Sequence, residues 1–202
     1  RNLYSGFKAD KFESRVENKT DVKDVPEWLN FQKQPSVFDI LAADYPAQYA
    51  ASNGNPLKGW AGVTTTLSDL NTGELHWVKV PINHIVIDFD LKNKDGEKDL
   101  KLNTDAASMF PPTYAELSKS GGGIHLHYIY AGDPTLLSPI YKEGIEIKVY
   151  KGNLSLRRKL VGCNNLQIAT LNAGGLTLKE VKEKVILANR KSGSAGMPRP
   201  IS

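Results

Sequence analysis

Residues 84–91 read His-Ile-Val-Ile-Asp-Phe-Asp-Leu, and no other stretch constrains the fold as tightly. A short run of branched and aromatic apolar residues specifies a strand built for a core. Asp88 and Asp90 interrupt it two residues apart. Side chains at i and i+2 of a strand leave the same face, so both carboxylates project together. Two like charges there repel and lose hydration unless a cation sits between them. Hard divalent ions such as Mg²⁺ or Mn²⁺ take oxygen ligands of this kind. Asp88 and Asp90 are therefore expected to be metal ligands, against the plainer alternative of an acidic strand end in water.

The remainder of the chain alternates strand and helix patterns, which gives an α+β fold class. Pro35 followed by Val37, Phe38, Ile40, Leu41 and Tyr45 predicts a short amphipathic helix. Asn53-Gly54-Asn55-Pro56 is a turn, and Trp60–Leu67 with Leu75–Val80 is expected as a hairpin closed at Asn71-Thr72-Gly73. Asn93–Gly96 turns, and residues 103–110 form a short helix. Further strands are expected at Thr113–Leu117, Ile124–Tyr130, Ile145–Tyr150 and Leu154–Leu160. Leu176–Asn189 has helical spacing, and Gly193, Ser194, Gly196, Pro198 and Pro200 mark a linker-like tail at 191–202. Residues 1–190 form one unit, with 1–80 as an N-terminal lobe and 81–190 as the lobe that carries the motifs. A start at Arg1 rather than Met reads as an excerpt of a longer protein.

Composition excludes several classes. No apolar run approaches the ~20 residues of a membrane span, and no charged-then-apolar leader is present. The single cysteine, Cys163, rules out an intrachain disulfide and a CxxC zinc site, and it suits a cytoplasmic setting. The net charge of +4 is a mild pointer to a polyanionic partner. Its distribution says more, because Lys148, Lys151, Arg157, Arg158 and Lys159 crowd one stretch that could follow a phosphate backbone. A solvated basic face is the alternative.

Glu146 lies in Gly144-Ile145-Glu146-Ile147-Lys148-Val149, a second apolar strand interrupted by an acid. A third carboxylate from a neighbouring strand would complete a two-metal clamp for in-line phosphoryl transfer. Lys148 shares its face, so a surface ion pair is the competing expectation. The segment Ser118-Lys119-Ser120-Gly121-Gly122-Gly123 supplies the opposite charge. Its glycines let backbone N–H groups close around phosphate oxygens, while Ser118, Lys119 and Ser120 add donors. The loop leads into a strand and so is not a P-loop. His125 and His127 then share one face of that strand, and a histidine beside a triphosphate would donate to it.

The order of these motifs resembles the archaeo-eukaryotic primase superfamily, above all the primase-polymerases of phages and mobile elements. The family's acid pair on a strand is matched by Asp88 and Asp90. Its small residue, any residue, then His is matched by Gly123-Ile124-His125, and its acid in an apolar strand by Glu146. The stretch from Glu146 to Tyr150, through Asn153 to Arg157, is also similar to the third-motif region of eukaryotic primase-polymerases, with Glu in place of Asp. The resemblance covers roughly residues 82–160. It implies a catalytic lobe like an RNA-recognition fold, with a mixed or antiparallel sheet, beside a small N-terminal α/β lobe.

The same resemblance implies a DNA primase or DNA polymerase that adds NTPs or dNTPs to a primer on a single-stranded DNA template in phage or mobile-element replication. Asp88, Asp90 and Glu146 would hold Mg²⁺ or Mn²⁺. Ser118, Lys119, Ser120, Gly123, His125, Lys148 and Arg157 would bind the nucleotide, and Lys151, Arg158 and Lys159 the nucleic acid. A helicase or helical domain outside residues 1–202 would be fused or coupled to it, in the host cytoplasm, with no membrane partner.

Two other readings use the same residues. His125-Leu126-His127 fits the metal motif of rolling-circle replication or mobilisation nucleases, with Tyr141 or Tyr150 as attacking group. That pattern leaves Asp88, Asp90 and the glycine loop unexplained. A non-catalytic single-strand binding module would stack bases on Tyr128, Tyr130 and Tyr150. It has no need of three acids in apolar strands, and Tyr128 and Tyr130 are expected to pack on the face opposite His125.

Overall fold

A computed structural model describes residues 25–176. They form an α+β fold of two sheets that are antiparallel apart from one strand pair. The larger sheet runs β4 (Ala115–Leu117), β5 (Ile124–Tyr130), β3 (His84–Phe89), β7 (Ile145–Val149), β6 (Ile140–Lys142), and β9 (Ala169–Leu171) lies parallel to β5. The smaller sheet runs β1 (Ala47–Tyr49), β2 (His76–Val78), β8 (Leu156–Arg158). Two α-helices, α1 (Val37–Leu41) and α2 (Leu100–Ala107), and four short 3₁₀ turns accompany the sheets among the described residues. Among the described residues no helix is long and apolar enough to cross a membrane.

β3 is central because both of its faces are apolar where they are covered. Ile85, Ile87 and Phe89 join Ile124, Leu126, Tyr128, Ile145 and Ile147 in a core on one side of the sheet, with Ala107 and Phe110 over it. Val86 points the other way, into a second core with Phe38, Val78, Tyr114 and Leu156, beneath the smaller sheet. Burying both faces of a strand removes its apolar groups from water at about 25 cal/mol per Å², the largest favourable term in such a fold. The smaller sheet therefore covers only part of the inner face of the larger one, and the Asp88 end of β3 stays open as a cleft.

Local chemistry sets the helix starts. Ser36 caps α1, its hydroxyl oxygen accepting from the N–H of Phe38 (3.1 Å) and Asp39 (3.4 Å). Asp99 caps α2 by accepting from the N–H of Leu102 at 3.1 Å. Such caps satisfy donors that the helix leaves unpaired. α2 therefore starts and ends three residues earlier than the 103–110 expected from its apolar pattern.

The strands at Ile124–Tyr130, Ile145–Val149 and His84–Phe89 fall where the sequence places them. The expected hairpin at 60–80 does not form. Trp60–Gly62 and Leu67–Asp69 are 3₁₀ turns, the second locked by a capping box between Thr66 and Asp69. Gly59 and Gly62 lower the strand preference there. The turn at Asn71 exists, with the N–H of Glu74 donating to the Asn71 carbonyl at 3.0 Å, but β2 pairs with β1 and β8 instead. The smaller sheet is thus not purely N-terminal, since β8 follows the motif-bearing strands. The helical pattern of Leu176–Asn189 lies outside the described residues apart from Leu176, as do residues 1–24 and the tail.

Candidate functional site

Register brings the three motif strands together. Asp88 on β3 stands directly opposite His125 on β5 and directly opposite Glu146 on β7. Residues at one register level leave the same face of a sheet with neighbouring Cβ atoms. Nε2 of His125 lies 3.3 Å from Oδ1 of Asp88, both side chains being about one-fifth to one-quarter exposed. Burial alone would raise the Asp88 pKa. The hydrogen bond and charge of His125, with the charges of Lys148 and Lys98, outweigh it and hold Asp88 below the usual carboxylate value.

This level opens into a cleft of about 350 Å³. Asp88, His125 and Lys148 come from the larger sheet, Ser118 and Lys119 from the loop after β4, and Lys98 from the segment before α2. The segment 155–159 around β8 lines it from the smaller sheet, with Leu75 and Trp77 beside it. The exposed Arg157 guanidinium lies 6.0 Å from the ring centroid of Trp77, its register partner. Two carboxylates, Asp88 and the buried Glu116, stand among Lys98, Lys119, Lys148, Arg157, Arg158 and Lys159 in this lining, an excess of positive charge that suits a polyanionic ligand.

The other two acids are engaged by lysines. The Asp90 carboxylate is 3.3 Å from Lys98 Nζ, and its backbone N–H donates to the Gly144 carbonyl at 2.8 Å. Glu146 is 2.8 Å from Lys148 Nζ, with both side chains roughly half exposed. The surface pair weighed for Glu146 is thus present. As these side chains stand, no three His, Cys, Asp or Glu groups among the described residues gather to hold an ion. The donor set still has the right chemistry, because Asp88, Asp90 and Glu146 are hard oxygen ligands at the ends of adjacent strands.

The serine-glycine loop is a tight connection between β4 and β5. Ser118 Oγ accepts from the Gly123 N–H at 2.9 Å and lies 3.2 Å from Ser120 Oγ. The backbone N–H groups of Ser118 and Gly121 donate within the loop as well. Gly121 has φ +82°, and a Cβ at Gly123 would come within 2.9 Å of both the Phe89 carbonyl and Ser118 Oγ. These glycines are therefore required by the turn and by close approach to β3. Asn103 fixes the loop to the site, its Nδ2 donating to the Gly122 carbonyl (2.8 Å) while its Oδ1 accepts from the Leu91 N–H (2.7 Å). Ser118 and Lys119 line the cleft, whereas Ser120 and Gly123 shape the turn.

Arg158 corrects the basic-stretch reading. It is buried, and its side chain points between the sheets rather than along a surface. Nε and Nη2 donate to the Glu116 carboxylate at 2.6–2.9 Å, and Nη1 lies 2.6 Å from Asp39 Oδ1. Tyr114 OH donates to the same Glu116 at 2.5 Å, and the Phe38 ring lies 4.7 Å beneath the guanidinium. Burial would raise the Glu116 pKa, but the Arg158 charge and the hydrogen bonds of His127 and Arg158 hold it well below the carboxylate range. Arg157 and Lys159 are exposed on the opposite face and line the cleft. Lys151 is exposed on a separate groove beside β7, which includes Glu146 and Lys148.

His127 is buried in the same network, its Nδ1 2.8 Å from His84 Nε2 and its Nε2 3.6 Å from Glu116 Oε1. It shares a face with His125 but serves a different partner. Tyr128, Tyr130 and Tyr150 are buried, so the base-stacking surface considered for a binding module is not on offer. Tyr141 packs against Phe110, with ring centroids 5.1 Å apart. Sequence reasoning missed Lys98, Trp77 and Glu116. Only Glu116 left a signal, two residues after Tyr114 in an apolar strand. Compared with known proteins, the chain matches no family model and no curated protein.

Proposed function

We propose that the chain is the catalytic core of a primase-polymerase-like nucleotidyltransferase, adding nucleotides to a primer on single-stranded DNA. The observation that carries this reading is the register level His125–Asp88–Glu146, with Asp90 just past the end of β3. Those are the residues on which the three motifs of the primase resemblance fall. The larger sheet with α2 against it serves as the RNA-recognition-like lobe, and the smaller sheet as its companion.

Mg²⁺ or Mn²⁺ held by Asp88, Asp90 and Glu146 would neutralise charge on the transferring phosphoryl group and lower the pKa of the attacking hydroxyl. His125 stands at the cleft floor, where it donates a hydrogen bond to a phosphate oxygen. Lys119 and Arg157 neutralise further phosphate charge from the rim, and Ser118 holds the loop that carries Lys119. Lys159 and Lys151 remain the exposed cations for a template or primer backbone. Excluding water from this half-buried floor strengthens each of these contacts.

The test is incorporation of labelled nucleotides on primed and unprimed single-stranded templates, with Mg²⁺ or Mn²⁺ added. Metal-dependent extension is expected, lost by at least ~100-fold in Asp88→Ala and reduced through a higher nucleotide KM in His125→Ala. Extension that survives Asp88→Ala, or none in the parent chain on either template, would refute the reading. Cleavage leaving a covalent tyrosine adduct would replace it with the nuclease alternative.

A further inference from the structure

Two of the three acids in the proposed site already have a cation, and both cations line the cleft. Lys98 Nζ is 3.3 Å from Asp90 and Lys148 Nζ is 2.8 Å from Glu146. Both lysines line the cleft with Asp88, and the charge of each lowers the Asp88 pKa. Both pairs are a third to more than half exposed. Exposed pairs of this kind are weak and exchange readily, unlike the buried Arg158–Glu116 pair. Lysine suits such exchange, being a point charge on a flexible stem. The base of Lys98 is fixed, because it bridges to Lys92 and its Cβ packs where a Cβ on Gly122 would come within 2.8 Å.

We propose that Lys98 and Lys148 are exchangeable counter-ions of the site. Each holds an outer carboxylate until a divalent cation takes it, and the freed ammonium then binds the phosphates of the incoming nucleotide. This rests on the nucleotidyl-transfer reading. It assigns Lys98 a role that no motif gives it, and it explains why Asp90 and Glu146 do not converge on Asp88. Metal and nucleotide binding are then coupled through two side chains that move only by rotation about their stems.

Mn²⁺ affinity, followed by electron paramagnetic resonance without nucleotide, reads the first half. Lys98→Met and Lys148→Met should each bind Mn²⁺ about two- to fivefold tighter than the parent, because the competing cation is gone. Calorimetry with inorganic tripolyphosphate in the presence of Mn²⁺ reads the second half, and both variants should bind it several-fold more weakly. Lys98→Arg keeps the charge and should leave Mn²⁺ affinity unchanged, which separates charge from packing on Gly122. Lysine variants that bind Mn²⁺ no tighter, or tripolyphosphate no more weakly, overturn the proposal. Asp88→Asn distinguishes the underlying reading: if it binds Mn²⁺ as the parent does, or the parent binds none, the metal site itself is wrong.

Discussion

Replacing Arg158 with methionine should destabilise the fold by about 3–5 kcal/mol, the usual loss when one partner of a buried ion pair is removed. The figure follows from what the change strands. Glu116 is 2% exposed and would lose three hydrogen-bond contacts of 2.6–2.9 Å. Tyr114 at 2.5 Å would remain, with His127 at 3.6 Å. Asp39 would lose its 2.6 Å partner as well, though it is a quarter exposed and can regain water. At roughly 2–4 °C per kcal/mol for a chain of this size, Tm should fall by about 6–20 °C. Thermal and urea unfolding of Arg158→Met, Glu116→Gln and the double variant measure this directly. The double variant should recover much of the loss, because no buried charge is left alone. A single-variant loss under about 1 kcal/mol, or a double loss equal to the sum of the singles, would refute the buried-pair account.

Three further outcomes are expected. Stability should fall as pH drops below about 6.5, because burial above all holds His84, His127 and His76 under that ordinary value and the unfolded chain takes up protons first. Glu116, held below 4.5, adds a loss of the same sign as pH falls further, so urea titrations flat between about pH 7 and 4 would contradict this. Gly123→Ala should cost about 1–3 kcal/mol and lower nucleotide affinity, since its Cβ would crowd the Phe89 carbonyl at 2.9 Å; unchanged melting would show that the loop yields. Lys159→Ala should reduce the salt slope of single-stranded DNA binding by about one counterion, whereas Arg158→Met, where folded, should leave it unchanged; equal slopes for the parent and Lys159→Ala would mean a merely solvated face.

The strands that form the candidate site were legible because each is an apolar run broken by a single kind of exception. Asp88 and Asp90 in 84–91, Glu146 in 145–149 and His125 in 124–130 stand out against such neighbours. Which strands adjoin was not legible, since pairing between 84–89 and 145–149 depends on the whole sheet. The smaller sheet was misread for a related reason: β2 finds its partners at 47–49 and 156–158, far from the neighbouring turn that suggested a hairpin. Arg158 looked like one member of a basic run because burial of an ion pair depends on Glu116, distant in sequence. The alternation of β8 contained the correction, since Leu156 and Arg158 share the inward face and Arg157 and Lys159 the outward one. Lys98, in a charged turn, carried no sequence signal at all.

The central position of β3 also sets an order of events when the chain is made. Its neighbours on the two sides are residues 124–129 and 145–149, so neither edge is closed until much later sequence has appeared. At about 5–20 residues per second of synthesis, Glu146 emerges roughly 3–12 s after Asp88. Through that interval Ile85, Val86, Ile87 and Phe89 form an uncovered apolar window with two open edges, the pattern that templates strand-to-strand aggregation. Asp88 and Asp90 are the charges within and beside that window, and like charges in register repel a second copy of the same strand. The carboxylates that define the cleft in the finished fold thus also guard the nascent strand.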